Sequence, residues 1–150
     1  MINQFKGKYR WLSNFAPCEI VLDRRKYASV EHAYMSAKSD SLSWKEFCAS
    51  DVTPGEVKRA SRSLSYLHCL VENWDDIRID VMRECLKQKF SQEPYRTWLR
   101  ETGNEYIQEG NTWHDQFWGV EFHTGQGENR LGKLIMEIRT IYQFEGREGK

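Results

Sequence analysis

Apolar residues recur at helical spacing in three stretches of this chain and alternate in only one short piece. Trp74, Ile77, Val81, Cys85 and Leu86 fall on one side of a 3.6-residue period and predict a helix from Asn73 to near Phe90. Tyr95, Trp98 and Leu99 predict a shorter helix that stops at Gly103, where a glycine can take the left-handed turn that ends helices. Leu131, Leu134, Ile135, Ile138 and Tyr142 form a third stripe behind the glycine-rich "GQGEN" (Gly125 to Asn129). Earlier in the chain, Cys18 to Leu22 reads as a strand and Asp23-Arg24-Arg25 as a turn into Lys26-Tyr27, giving a small sheet or hairpin. Ser29 has the character of an N-cap for "VEHAYMSAK" (Val30 to Lys38). Thr53 and Glu56 stand at capping-box spacing with Pro54 at the first helical position, so another helix begins there. The pattern predicts a predominantly helical α+β single domain over residues 1–150 with a small β-sheet, whose opening stretch is its one long irregular segment.

Length agrees with one domain, because 150 residues bury one core and fall short of two. No apolar run approaches the eighteen or so residues that cross a bilayer, and "MINQFKGKYRW" lacks the apolar centre of a secretory signal. A cytoplasmic protein that does not engage membranes is therefore expected. In such a compartment Cys18, Cys48, Cys69 and Cys85, widely spaced and without a C-x-x-C pair, are expected to be buried thiols rather than disulfides or metal ligands. Lys plus Arg (22) equals Asp plus Glu (22), which excludes the broad positive field of a non-specific nucleic-acid binder. Any bound anion must be held locally. Six Trp, seven Tyr and seven Phe supply core volume and flat surfaces on which a heterocycle can stack.

Four features carry candidate chemistry. On a helix, Glu31 and Lys38 differ by only about 20° around the axis, with Tyr34 and Met35 between, so a carboxylate and an amine address one place; the spacing alone equally describes a surface ion pair. Lys58 and Arg62, four apart with Arg59 adjacent, repel one another unless an anion lies between them, or else form a solvated basic face. "GQGEN" opening a helix is a weak anion cradle, and it is not a P-loop, since Gly132-Lys133 is followed by Leu134. In "NTWHDQFWG", Asp115 lies among Trp113, Phe117 and Trp118, where a carboxyl group with a raised pKa would suit proton transfer; His114 reads as a packed or surface residue. No zinc motif and no Ser/His/Asp order is legible.

Six ordered blocks together resemble the NADAR (YbiA-like) family: "WLSNF" (Trp11 to Phe15), "VEHAYMSAK", "VKRASR" (Val57 to Arg62), "VMRECLKQKF" (Val81 to Phe90), "DQFWG" (Asp115 to Gly119) and "GQGENRLGKLIMEIR" (Gly125 to Arg139). The resemblance implies an α+β domain without metal or cofactor that hydrolyses N-glycosidic bonds between ribose and a nitrogenous base. The implied substrates are ribosylamino-pyrimidine or pyrimidinedione phosphates of riboflavin synthesis. Two alternatives are removal of ADP-ribose from guanine in nucleic acid and non-catalytic sensing of ADP-ribose or NAD. By matching position it implies Glu31 and Lys38 as the catalytic polar pair, and it puts Asp115, the third candidate catalytic residue, on the opposite side. Trp11, Asn14, Phe15 and Tyr34 would line the pocket, Lys58 and Arg62 would face phosphate, and Trp118, Gly119, Gly127 and Asn129 would close the other side. His123 departs from the plain Gly/Asp loop of many relatives, which leaves base selectivity open.

Overall fold

The computed structural model describes residues 1–64 and 70–148, with side chains through residue 145. It divides into two compact units, Asn14–Lys89 and Met1–Ser13 with Phe90–Lys150.

The unit Asn14–Lys89 begins with an antiparallel hairpin of β1 (Pro17–Leu22) and β2 (Arg25–Ser29), in which Ile20 faces Tyr27 and Leu22 faces Arg25. Asp23 and Arg24 both take positive φ (48° and 66°), the mirror-image two-residue turn whose twist matches that of its strands. Ile20 and Tyr27 turn inward and are buried, while Val21 remains exposed. The side-chain amide of Gln88 pairs with the main chain of Val21 as a further strand would, at 2.8 and 2.9 Å.

From Ser29 the chain enters α1 (Val30–Ser36), every residue of which is buried. A helix buried all round lies at the centre of its unit, and α1 packs on both strands, on α2 (Leu42–Ala49) and on α3 (Pro54–Ser61). Ser29 and Thr53 cap their helices as expected, accepting from His32 N at 3.2 Å and Glu56 N at 3.1 Å. Helix α2 carries no legible period, because only Trp44 and Cys48 are buried; Ser41 caps it.

Helix α1 stops at Ser36, two residues short of Lys38, contrary to the expectation of one helix to Lys38. Its last carbonyls have other partners: Trp44 Nε1 donates to Met35 O at 2.8 Å and Lys45 Nζ to Ser36 O at 3.1 Å. Helix α4 (Trp74–Phe90) covers the predicted span in a rotated phase. Trp74, Met82, Cys85, Leu86, Lys89 and Phe90 are buried, whereas Ile77 and Val81 are half-exposed. Lys89 is fully buried, which pushes its amine down to about 7 against the opposing influence of Cys18.

The other unit opens with a 3-10 helix, Gly7–Leu12, and contains α5 (Tyr95–Glu101), the two-residue parallel strands β3 (Gly110–Asn111) and β4 (Val120–Glu121), and α6 (Arg130–Glu148). Ile2 bonds to Tyr106 and Gln108 through its backbone, at 2.8 Å each, and its side chain is buried with Leu12, Phe90, Tyr95, Leu99, Ile107 and the α6 stripe Leu131, Leu134, Ile135 and Ile138. Gly103, at φ 61°, follows α5 as the pattern requires. The predominantly helical α+β expectation holds, with two small sheets rather than one.

Cys48 and Cys85 are buried free thiols and Cys18 is a half-buried one; Cys69 lies outside the described residues. Burial pushes Cys48 and Cys85 up to about 12. Among the described residues no helix is long and apolar enough to cross a membrane, and no group of three or more His, Cys, Asp and Glu is placed to hold a metal ion.

Candidate active site

Within Asn14–Lys89, the first turn of α1 is held by His32. Its Nε2 lies 2.7 Å from Val52 O, and since a carbonyl only accepts, Nε2 carries the proton; Nδ1 is then left to accept from the Ser29 hydroxyl at 2.6 Å. The same Ser29 oxygen accepts from His32 N. This histidine is a strut of the scaffold. Beside it Glu31 is 7% exposed, and its N–H donates to Asn14 O at 3.1 Å, which fixes the "LSNF" segment against the helix start. The Asn14 side chain meets Met82 Sδ through Nδ2 at 3.6 Å, while its Oδ1 is buried without a hydrogen-bond partner. A buried acceptor in that state is costly unless a donor arrives.

Lys38 sits in the turn after α1, its N–H bonded to Met35 O and its carbonyl to Val71 N. Its Nζ lies 5.8 Å from the centre of the Tyr34 ring and 6.0 Å from that of Trp74, and these two rings are 5.1 Å apart. Burial lowers the Lys38 pKa; the Glu31 charge opposes that shift and the Arg78 charge reinforces it. A buried carboxylate and an amine made more acidic than usual therefore share one charge environment, as acid–base chemistry near neutral pH requires. Lys38 thus lies beyond the helix rather than on one helical face with Glu31, and it is the Glu31 charge acting on Lys38 that relates the two.

Lys58 Nζ lies 5.9 Å from the Phe15 ring centre, so a predicted phosphate residue meets a predicted pocket residue. Arg62 is exposed and follows the last residue of α3 as its C-cap, where a cation also favours the helix dipole.

The chemistry-rich stretch after Asn111 lies in the other unit and is knitted to itself. Asn111 brackets Asp115, accepting its N–H at 3.1 Å and donating to its carbonyl at 2.9 Å, and also donates to Glu109 Oε2. Asp115 Oδ1 accepts from Phe117 N and Trp118 N at 3.1 and 2.9 Å, the work of a turn-holding carboxylate. The N–H groups of Glu128, Asn129, Arg130 and Leu131 donate to the carbonyls of Gln116, Gly119, Phe117 and Trp118. The anion-cradle expectation for "GQGEN" is thereby corrected, because the chain's own carbonyls take these helix-start donors. Asn129, buried at φ 50°, accepts from Glu109 N and donates to Ile107 O and Tyr106 Oη. Gly119 and Gly127 allow close backbone approach: a Cβ at Gly119 would overlap the Glu109 carbonyl, and one at Gly127 the Gly119 carbonyl. Trp118 packs against Phe117 at 4.8 Å. Half-buried Trp11 belongs to a separate ring cluster of the same unit, 5.8 Å from Trp98 and 6.4 Å from Phe90.

The fold thus gathers Asn14, Glu31, Tyr34 and Lys38 in one unit, and Asp115, Trp118, Gly119, Gly127 and Asn129 in the other. Sequence reasoning missed Trp74 as the second ring under Lys38, and missed Arg78 altogether. A signal for both was present: Trp74, Arg78 and Met82 are spaced i, i+4, i+8 on one face of α4.

The NADAR domain model matches residues 2–142. The chain is 33% identical over 138 residues to the N-glycosidase YbiA of Escherichia coli, covering 91% of this chain and 84% of that protein. It is 33% identical over 134 residues to a riboflavin biosynthesis protein of Vibrio vulnificus, covering 89% of this chain but only 35% of that longer protein. The NMR structure of E. coli YbiA superposes with a TM-score of 0.82 at 28% identity, covering 99% of this chain and 90% of that one.

Proposed function

The chain belongs to the NADAR domain family, and on that premise we propose that it is an N-glycosidase hydrolysing the bond between a ribosyl phosphate and a nitrogenous base. The supporting observation is the buried Glu31 carboxylate in the charge environment of Lys38, whose amine rests over Tyr34 and Trp74. Departure of the base leaves an oxocarbenium-like sugar, and a carboxylate beside it stabilises that charge and takes a proton from the attacking water. Glu31 has this role. The Lys38 ammonium, more acidic than a free lysine because it is buried, gives its proton to the leaving nitrogen. The C–N bond breaks, the water oxygen bonds to the anomeric carbon, and free base and ribose phosphate leave.

Ribosylamino-pyrimidine and pyrimidinedione phosphates are the proposed substrates, in keeping with a relative named for riboflavin biosynthesis. Turnover needs no metal in this scheme, so chelator is expected to leave the rate unchanged. The test is incubation with these compounds, and separately with an oligonucleotide carrying ADP-ribose on guanine, followed by mass spectrometry of the products. Free base with ribose phosphate supports the proposal; free ADP-ribose from the oligonucleotide alone moves the activity to nucleic acid; binding without release makes the protein a sensor. Borohydride during turnover checks the covalent alternative, in which Lys38 forms a Schiff base with the opened sugar. No adduct at Lys38 is expected.

A further inference from the structure

We propose that Arg78 is a ligand-binding residue of this site and holds the phosphate of a sugar phosphate whose hydroxyl donates to Asn14 Oδ1. The ligand class rests on the N-glycosidase reading; the place rests on geometry. Along α4, Trp74 packs at a tilt against Tyr34 beneath Lys38, and Met82 touches the Asn14 amide. Arg78 stands one helical turn from each, on the same face. It is therefore bracketed by contacts to residues that also flank Glu31, since Asn14 O holds the Glu31 N–H.

Two further observations bear on the ligand. Asn14 Oδ1 is a buried acceptor lacking a donor, which a sugar hydroxyl would supply. The Arg78 side chain is 29% exposed, and its charge is felt by Lys38, so the guanidinium belongs to the same electrostatic cluster. Asp75, 3.8 Å from Arg78 Nε, has a side chain 87% exposed, where water screens it strongly. A guanidinium stays charged at any physiological pH and presents a planar fork that matches phosphate oxygens. Arg62 is exposed and Lys58 Nζ lies over the Phe15 ring, whereas Arg78 is the cation whose charge bears on Lys38.

The test is calorimetric titration of the full chain with ribose 5-phosphate and with ribose, comparing the wild type with Arg78→Gln, Arg78→Lys, Asn14→Ala and Asp75→Asn. Arg78→Gln is expected to weaken ribose 5-phosphate by about tenfold or more and leave ribose unchanged, with Arg78→Lys in between because it keeps charge but loses the fork. Asn14→Ala should weaken both ligands alike, and Asp75→Asn neither. Unchanged affinity for ribose 5-phosphate in Arg78→Gln, equal weakening of both ligands, or failure of the wild type to bind ribose 5-phosphate overturns the proposal. Should Arg78→Gln not fold by thermal melt, Arg78→Lys decides, and full retention of phosphate affinity there is the overturning result. The two readings fail separately. If Arg78→Gln loses phosphate selectivity but no ribosyl compound is hydrolysed, the glycosidase reading falls and the phosphate site stands. If Arg78→Gln hydrolyses a phosphorylated substrate with unchanged KM, the reverse holds.

Discussion

The turn and helix around Glu31 and the loop around Asp115 contain similar residue types and use them in opposite ways. In the Asp115 loop, the Asn111 amide, Asp115 Oδ1 and the Asn129 amide bond to main chain a few residues or one loop away, and the α6 N–H groups close on carbonyls of the same loop. In the α1 region, the backbone is capped by Ser29, Trp44 and Lys45. There Lys38 feels the charges of Glu31 and Arg78, and Asn14 Oδ1 is buried without a hydrogen-bond partner. Density of polar side chains in a sequence thus does not say which of them hold the main chain. A loop with no regular secondary structure needs side chains to satisfy its main chain, whereas the interior of a helix satisfies its own.

Glu31→Gln makes the sharpest break between the two regions. It is expected to keep the fold and ligand binding while slowing turnover by orders of magnitude, about 3–5 kcal/mol in the barrier, measured as single-turnover rates. Near-normal turnover removes Glu31 from the chemistry. Next in size is Asn129→Ala, which strips three hydrogen bonds from a buried position. It should cost about 2–4 kcal/mol of stability in denaturant melts. A stable Asn129→Ala protein that merely loses ligand would instead make Asn129 a binding residue, as the family resemblance implies.

Lys58 and Arg62 would supplement Arg78 at the phosphate, so Lys58→Ala and Arg62→Ala are each expected to weaken a phosphorylated ligand by roughly 1–3 kcal/mol and its dephosphorylated analogue hardly at all. Equal weakening of both returns this end of α3 to solvent. The smallest effect belongs to Asp115→Asn, which keeps the oxygen that Phe117 and Trp118 bond to. Stability should change by less than about 0.5 kcal/mol and turnover by less than a factor of about two. An inactive Asp115→Asn protein with an unchanged melt would make Asp115 the acid–base group and overturn the contrast between the two regions.

The sequence by itself determined whatever depends on neighbours along the chain. The Ser29 and Thr53 caps, the hairpin over Cys18 to Tyr27, the stop at Gly103 and the α6 stripe were all legible, because capping, turn conformation and helical period act over a few residues. The six-block resemblance gave the family for the same reason, through local strings in order. Tertiary structure decided the rest. Where α1 ends depends on Trp44 and Lys45 reaching its last carbonyls. Which face of α4 is buried depends on what packs against it, so Met82 and Lys89 are buried while Ile77 and Val81, which hydropathy alone puts in the stripe, are half-exposed. Whether Asp115 is a reactive acid or a loop anchor depends on two N–H groups whose direction no composition encodes. Charge proximity and hydrogen-bond direction are properties of three-dimensional approach, and a one-dimensional pattern carries them only where the partners lie within a turn or two of each other.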